Sequence, residues 1–458
     1  RMKTMKNELT VSIPLNERND LIKTRTYIQT AIDRCHNLGG GSVFIPSGKY
    51  LTSSIEIKSQ VTLCLASDCF LISPVEADQF NPLHLKQNDL SINTPELGYA
   101  MIYAQDSCDI GIEGGVIIGC GEAFWTPMQE IGELWCSTPP RYYAKPFRPM
   151  TLLLKNCQNI SIKSLVIQDS PAYSAWLLSC QNVHFQACRV ENNFYGPNTD
   201  GYHFSSCFNV LVEDCYFQTG DDSLAVDGND SGFSKGTVIR NCTFNSAVNV
   251  LRIYTGLDSF VKDDGSFYKV RDVKISHCKV LNAAGVVNVT AQYGQIEDIV
   301  CENLDVTLEQ EGTPFFLMTD RGSISKVTIK DCRVRANGVA TLIGTQEDWI
   351  SDVILKQLNY LIKPKKKLYE LDIPDPIPNY GQHHFAPCNL YLRYVSNIEI
   401  SDVIINWEYN PVFSQSFSAV KLRFGKDILI KNLKATAYNS KGNLPTIEVS
   451  NSKAVNVI

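Results

Sequence analysis

Asn156-Cys157-Gln158-Asn159-Ile160-Ser161-Ile162 opens a phrase that returns at Ser179-Cys180-Gln181-Asn182-Val183 and Ser206-Cys207-Phe208-Asn209-Val210. The three cysteines lie 23 and 27 residues apart. A second ladder interleaves with the first: Ala187-Cys188-Arg189-Val190, Asp214-Cys215-Tyr216-Phe217, Asn241-Cys242-Thr243-Phe244, His277-Cys278-Lys279-Val280 and Asp331-Cys332-Arg333-Val334, the first three cysteines being 27 residues apart. The segments between these phrases, such as Val210-Leu211-Val212 and Val273-Lys274-Ile275, alternate and are rich in β-branched residues, so they read as short strands. Self-similarity at such a period marks a solenoid, whose coils bury their apolar faces only by stacking on one another. A coil made of strands alone predicts an all-β chain folded as a single-stranded, right-handed parallel β-helix.

Stacking converts sequence separation into spatial neighbourhood. Equivalent strands of successive coils lie about 4.8 Å apart, so residues one repeat apart share a surface. Asn198-Thr199-Asp200-Gly201 is followed by Gly220-Asp221-Asp222, which sets Asp200 at 21 and 22 residues from the acidic pair. The three carboxylates are therefore expected in one groove.

Composition narrows the function classes. With 458 residues and 44% hydrophobic content the chain can fill a long continuous core, and a solenoid can exceed the usual domain size. One domain is expected over 1–458. It comprises an N-terminal segment and capping helix (1–41), regular coils (42–340), an inserted loop (364–388) and C-terminal coils (389–458). The net charge of −6, with dispersed Lys and Arg, gives no footprint for nucleic acid. The one basic run, Lys363, Lys365, Lys366 and Lys367, reads as a solvated loop. No apolar run approaches 18 residues, which excludes a helical membrane span. No signal peptide is visible behind Arg1-Met2-Lys3-Thr4-Met5-Lys6. Half of the 16 cysteines occupy the ladder positions, where a small apolar side chain suits the inside of a coil, so free buried thiols are expected rather than disulfides.

The ends and interruptions follow the rule that a solenoid needs caps. Tyr27 to His36 reads as an amphipathic helix with Ile28, Ala31, Ile32 and Cys35 on one face, closed by Gly39-Gly40-Gly41. Strands start at Ser42-Val43-Phe44-Ile45-Pro46. Pro364, Pro374, Pro376, Pro378 and Pro387 break the rhythm, and coils resume at Leu390-Tyr391-Leu392 and finish near Ile447.

The amphipathic helix, the triple glycine, Val43 to Tyr50, Asp169-Ser170-Pro171, Asn198-Thr199-Asp200-Gly201 and Thr219-Gly220-Asp221-Asp222 together resemble glycoside hydrolase family 28, the polygalacturonase family, over roughly residues 26 to 450. The resemblance implies hydrolysis by inversion, with Asp221 as general acid and Asp200 with Asp222 orienting and deprotonating the water. It implies no cofactor and no metal, a polysaccharide or oligosaccharide as partner, and an extracytoplasmic location. The chemistry agrees with the spacing. Inversion needs an acid on the leaving oxygen and a carboxylate on the opposite face of the sugar, about 6.5 to 9.5 Å apart, and crowded carboxyls cannot all ionise easily. A lone acidic pair at a turn would instead be read as solvated or as capping backbone amides.

Departures from the family shape the substrate expectation. The family carries Gly-His-Gly one coil after the acidic pair and Arg-Ile-Lys one coil later. Here Ser246-Ala247-Val248-Asn249 and Gly285-Val286-Val287-Asn288-Val289 stand near those places. A pectin relative with another residue at the scissile position, such as rhamnogalacturonan, or a different α-linked glycan is implied. The substrate-binding candidates are Arg252 and Tyr254, from Arg252-Ile253-Tyr254, with Asn198, His203, Trp125 and Trp135. Arg252 offers a planar fork to a carboxylate or to hydroxyls. His203, three residues past Asp200, points to the opposite face in strict alternation, which favours burial or stacking unless the turn is irregular. Trp125, Trp135, Tyr142, Tyr143, Trp176 and Tyr195 offer faces to a sugar ring, and the stretch Glu122 to Arg148 is expected to wall the groove. Two other classes stay open: a Ca²⁺-dependent polysaccharide lyase on the same fold, and a glycan-binding solenoid without turnover.

Overall fold

The repeated phrase dictates the turns, and the turns dictate the coil. A computed structural model of the chain describes residues 7–83, 98–126, 142–228, 232–256, 268–309, 313–364, 388–439 and 442–458. In it the first and fourth residues of each phrase, Asn156 and Asn159, Ser179 and Asn182, Ser206 and Asn209, all have left-handed backbone, with φ between 51° and 56°. Asn tolerates that region because its short polar side chain bonds locally. The fourth residues also bond to one another: Nδ2 of Asn159 donates to Asp109 Oδ1 (2.9 Å), Asn182 to Asn159 (3.0 Å) and Asn209 to Asn182 (3.1 Å). Each rung contributes about 1 kcal/mol. The cysteines between them are buried and point their thiols at backbone carbonyls, Cys157 at Lys155 O (3.2 Å) and Cys180 and Cys207 at Leu178 O and Ser205 O (3.5 Å each).

The described residues form two compact units, one ending at Ala225 and the other beginning at Val226. In the first unit three strands per coil build three parallel stacks. One runs Ala100–Gln105, Met150–Lys155, Ala175–Leu178 and Tyr202–Ser205. The second runs Gly41–Ile45, Val61–Leu65, Cys108–Glu113, Gln158–Lys163, Gln181–Gln186 and Phe208–Glu213. The third runs Gly48–Leu51, Cys69–Ile72, Val116–Ile118, Val166–Gln168, Arg189–Glu191 and Tyr216–Thr219. Register puts like on like: Ile112, Ile162, Phe185 and Val212 form one buried column, and Ile117, Ile167, Val190 and Phe217 another. Burying each such side chain stabilises the unit by about 1.5–3 kcal/mol.

The capping helix spans Leu21–Asn37 and buries Thr24, Ile28, Ile32 and Cys35. It starts earlier than the apolar pattern predicts because Asp20 caps it, accepting from Lys23 N at 3.1 Å, ahead of a first turn whose Ile22 is left exposed.

The second unit repeats the principle with longer strands. Ile239, Ile275, Cys301, Ile329, Leu355, Ile400, Ile430 and Val457 face one another in succession across seven parallel pairings. Strands persist past residue 340 as Ile350–Ile362, and the chain re-enters the stack at Leu390–Trp407 in register with both Ala340–Ile343 and Ile350–Ile362. The prolines from Pro374 to Pro387 lie outside the described residues. The last strands of the stack are Ile447–Ser450 and Lys453–Val457. All 15 described cysteines are free thiols. Among the described residues no helix is long and apolar enough to cross a membrane.

Candidate active site

Asp200, Asp221 and Asp222 sit where two neighbouring coils of the first unit turn into their strands. Ala175 N donates to Gly201 O while Ala175 itself faces Tyr202, so each N–H of this stack reaches the residue before its partner. Gly201 N and Tyr202 N donate to Asp222 O (3.0 Å) and Ser223 O (3.1 Å). By the same rule Gly201 faces Ser223, and Asp200 faces Asp222 one coil away, about 4.8 Å along the stack. Asp200 and Asp222 are 4% and 2% exposed, whereas Asp221 is half-buried. The Asp221 carboxylate accepts the N–H of Asp222 at 3.0 Å.

Glycines permit this approach by lacking a side chain. A Cβ on Gly201 would collide with the Ser223 carbonyl oxygen, and one on Gly220 with the Thr199 hydroxyl. Hydroxyls then lock the two turns together. The Thr199 hydroxyl donates to Gly196 O (3.0 Å) and accepts from Gly220 N (3.1 Å), and Thr219 donates to Asp221 O (2.8 Å). Behind them the buried Asn192 holds three oxygens and nitrogens at once: Ser170 N donates to its Oδ1 (3.0 Å), and its Nδ2 donates to Ser174 Oγ (2.8 Å) and Thr199 O (3.1 Å). Asn198 has left-handed backbone, with φ of 51°.

The sequence reading missed Arg148. Only 7% exposed, it donates to Pro197 O (2.8 Å) and Asn198 Oδ1 (3.1 Å), and so clamps the turn that carries Asp200. Burial lowers its pKa from the ordinary arginine value, against the attraction of Tyr173, Asp200 and Asp221. It lies 52 residues before Asp200 in sequence, outside any repeated phrase, and no local pattern marks it.

His203 corrects the alternation argument. Its Nδ1 is 3.8 Å from Asp200 Oδ2, so the two side chains share a side. The strand begins only at Tyr202, and alternation does not carry across the Asp200-Gly201 turn. Burial and stacking are as expected: the imidazole is 3% exposed, with ring centroids 4.7 Å from Tyr173 and 5.6 Å from Trp176. Trp176 in turn donates its indole N–H to Ser205 Oγ at 2.9 Å.

Trp125 is a second correction. At 3% exposure, with its indole N–H given to Pro171 O (2.9 Å) and its ring stacked on Tyr142 at 5.6 Å, it cannot offer a face to a sugar. Its ring packs where a Cβ on Gly196 would fall, close to the turn that leads to Asp200. Trp135 lies outside the described residues. Of the other aromatic candidates, Tyr143 and Tyr195 remain open to solvent, at 52% and 44% exposure.

Arg252 and Tyr254 belong to the second unit, on the strand Asn249–Thr255, where they face Asn288 and Thr290 of the next coil. The Arg252 guanidinium lies 4.8 Å from the centroid of the Tyr254 ring. Ser246 to Asn249 form a buried turn in which Ser246 accepts from Val248 N (3.1 Å) and donates to Asn249 O (3.0 Å). Among the described residues no group of three or more His, Cys, Asp or Glu side chains is arranged to hold a metal ion.

Residues 89–312, which span all three aspartates, match the profile of glycosyl hydrolases family 28. The match covers just under half of the chain, which is similar to family 28 over that stretch. A probable polygalacturonase of Vitis vinifera is 29% identical over 195 residues, 41% of this chain and 37% of that protein. The chain spans between 35% and 40% of the length of the first three plant relatives it matches. Among solved structures, the family 28 exopolygalacturonase of Yersinia enterocolitica superposes with a TM-score of 0.64 at 16% identity, covering 98% of this chain and 78% of that one. The A-module of the Azotobacter vinelandii mannuronan C-5 epimerase AlgE4 superposes with a TM-score of 0.52 at 10% identity, covering 99% and 100%. The β-helix is thus a fold shared with a protein named for a different chemistry, and the fold by itself does not decide the reaction.

Proposed function

We propose that the chain is an inverting glycoside hydrolase that cuts a glycosidic bond in a pectic or related acidic polysaccharide or oligosaccharide, and that it does so outside the cytoplasm, where such glycans are met. The placement of Asp200 opposite Asp222, with Asp221 beside it, carries the reading. Asp221, the most exposed of the three, gives its proton to the leaving oxygen as the bond from that oxygen to the anomeric carbon breaks. Asp200 and Asp222 take the proton of the water whose oxygen forms the new bond from the opposite face. One proton leaves the acid and one arrives at a base, so the site returns to its starting charge after exchange with solvent. The match of residues 89–312 to the family 28 profile and the likeness to the plant polygalacturonases support the same chemistry. Asn198 and the exposed ring of Tyr195, both in the first unit, are assigned to substrate contact.

The test is incubation with polygalacturonate, rhamnogalacturonan and other pectic and plant glycans, reading new reducing ends and the anomer first formed by proton NMR. Hydrolysis with inverted anomeric configuration is expected, and Asp221→Asn should lower kcat by at least about 10²-fold with an unchanged circular dichroism spectrum, the scale of losing a positioned acid. An unsaturated product absorbing in the ultraviolet and abolished by chelator would make the protein a lyase. Saturable binding of a glycan with no turnover, unaltered in Asp221→Asn, would make it a binding module.

A further inference from the structure

The buried Arg148 lies near the aspartates, and the reaction above does not explain its charge. Among the described residues its hydrogen bonds go to two neutral oxygens, Pro197 O and Asn198 Oδ1, so no direct carboxylate partner offsets the desolvation of a full charge. Clamping a turn through a carbonyl and an amide oxygen needs only neutral donors. The positive charge itself therefore calls for a reason, and the groups around it supply one. Among the described residues Tyr173, Asp200, Asp221, Asp222 and His203 are titratable side chains of this corner, and Arg148 is attracted through space by Tyr173, Asp200 and Asp221, with Asp200 the stronger of the two carboxylates.

Crowded carboxyls raise one another's affinity for protons, and burial adds to that. Left to these two effects, Asp200 at 4% exposure would hold the proton that catalysis needs elsewhere. A fixed buried cation beside it reverses the preference, and acts unequally on two acids at unequal depth, which is how paired carboxylates come to serve as one acid and one base.

We propose that Arg148 is a positioning residue whose buried guanidinium fixes the Asn198 turn and keeps Asp200 ionised, directing the proton of the acidic cluster away from the water-activating side. The assignment rests on the hydrolytic reading of the same site.

The test uses the intact chain, labelled with carbon-13 at the Asp carboxyl, with the Asp200 signal identified by its loss in Asp200→Asn. Its midpoint of titration is followed in the wild type, Arg148→Gln, Arg148→Lys and His203→Gln, alongside the acid limb of the kcat/KM profile. Arg148→Gln keeps a donor for the turn but no charge, and should move both the midpoint and the acid limb upward by about one pH unit or more, the scale of losing a close opposite charge. Arg148→Lys keeps the charge and should leave both within a few tenths of a unit of wild type, even where kcat falls because the fork is lost. An unmoved midpoint in Arg148→Gln, or an equal shift in Arg148→Lys, overturns the proposal. So does a shift that His203→Gln reproduces in full. If Arg148→Gln does not fold, a shifted midpoint in Arg148→Lys still sinks it. The carbon-13 signal needs no substrate, so absence of turnover on every glycan refutes the hydrolytic reading while the titration continues to judge Arg148.

Discussion

Replacing Gly201 with alanine tests whether coil contact, rather than the acidic letters alone, makes the site. The added Cβ falls on the Ser223 carbonyl oxygen and comes within 2.8 Å of the Phe217 ring. Backbone and a fully buried ring both resist it, so the two coils must part. Parting them strains or breaks the bonds from Gly201 N to Asp222 O and from Tyr202 N to Ser223 O. Two net backbone hydrogen bonds are about 2 kcal/mol, and overpacking a close-packed site adds roughly 1–3 kcal/mol, so a loss of about 3–5 kcal/mol is expected. Because the same bonds set Asp200 against Asp222, a displacement near 1 Å should lower kcat by about 10²-fold.

The assay pairs urea unfolding, followed by far-ultraviolet circular dichroism, with initial rates on whichever glycan is hydrolysed. Gly98→Ala serves as the control, since nothing lies within 4 Å of its Cβ position; it should match wild type in both measurements. If Gly201→Ala unfolds and turns over like Gly98→Ala, close stacking of these turns does not hold the aspartates, and the argument from register to chemistry fails.

Thr199→Val preserves shape but leaves Gly220 N and Gly196 O without the hydroxyl, and should cost about 1–3 kcal/mol in unfolding experiments while lowering kcat more than it raises KM. In the asparagine ladder, Asn182→Ala removes two rungs and forces alanine to φ of 53°, whereas Asn182→Gly removes the rungs alone, so glycine should be the less destabilising by about 1 kcal/mol in thermal unfolding. Glu302 in the second unit lies between Lys274 (2.6 Å) and Lys330 (3.0 Å), whose hydrogen bonds hold its carboxyl below the usual glutamate range. A depressed folded-state value contributes stability above about pH 4.3, the unfolded value, and loses it as pH falls through the folded one. Glu302→Gln should therefore melt below wild type at pH 7, with the gap closing as pH falls below about 4, and a gap that persists at low pH would count against the ion pairs.

What was legible in the chain was what repeats. The Cys-x-Asn phrases fix left-handed turns and inward thiols at regular intervals, so register, and with it the meeting of Asp200 with Asp222, could be argued from spacing alone. The capping helix was read by its apolar stripe but not to its start, because Ile22 in the first turn is exposed and off that stripe, and a cap is a single side-chain bond. His203 was misplaced because alternation describes strands, and the residues between it and Asp200 include a turn. Trp125 was read as a platform because aromatic residues in irregular segments serve either purpose, and only its burial decides. Arg148 was invisible for a different reason: its role depends on two acceptors about 50 residues away, and nothing periodic connects them.

The return of Leu390–Trp407 onto Ala340–Ile343 and Ile350–Ile362 means that the rungs on either side of residues 364–388 recognise each other without reference to what joins them. The pairing itself uses no residue between 365 and 387. The register of the stacked spine across this break is therefore written in the strands themselves, in the matching of Val353 with Ile398 and Leu355 with Ile400.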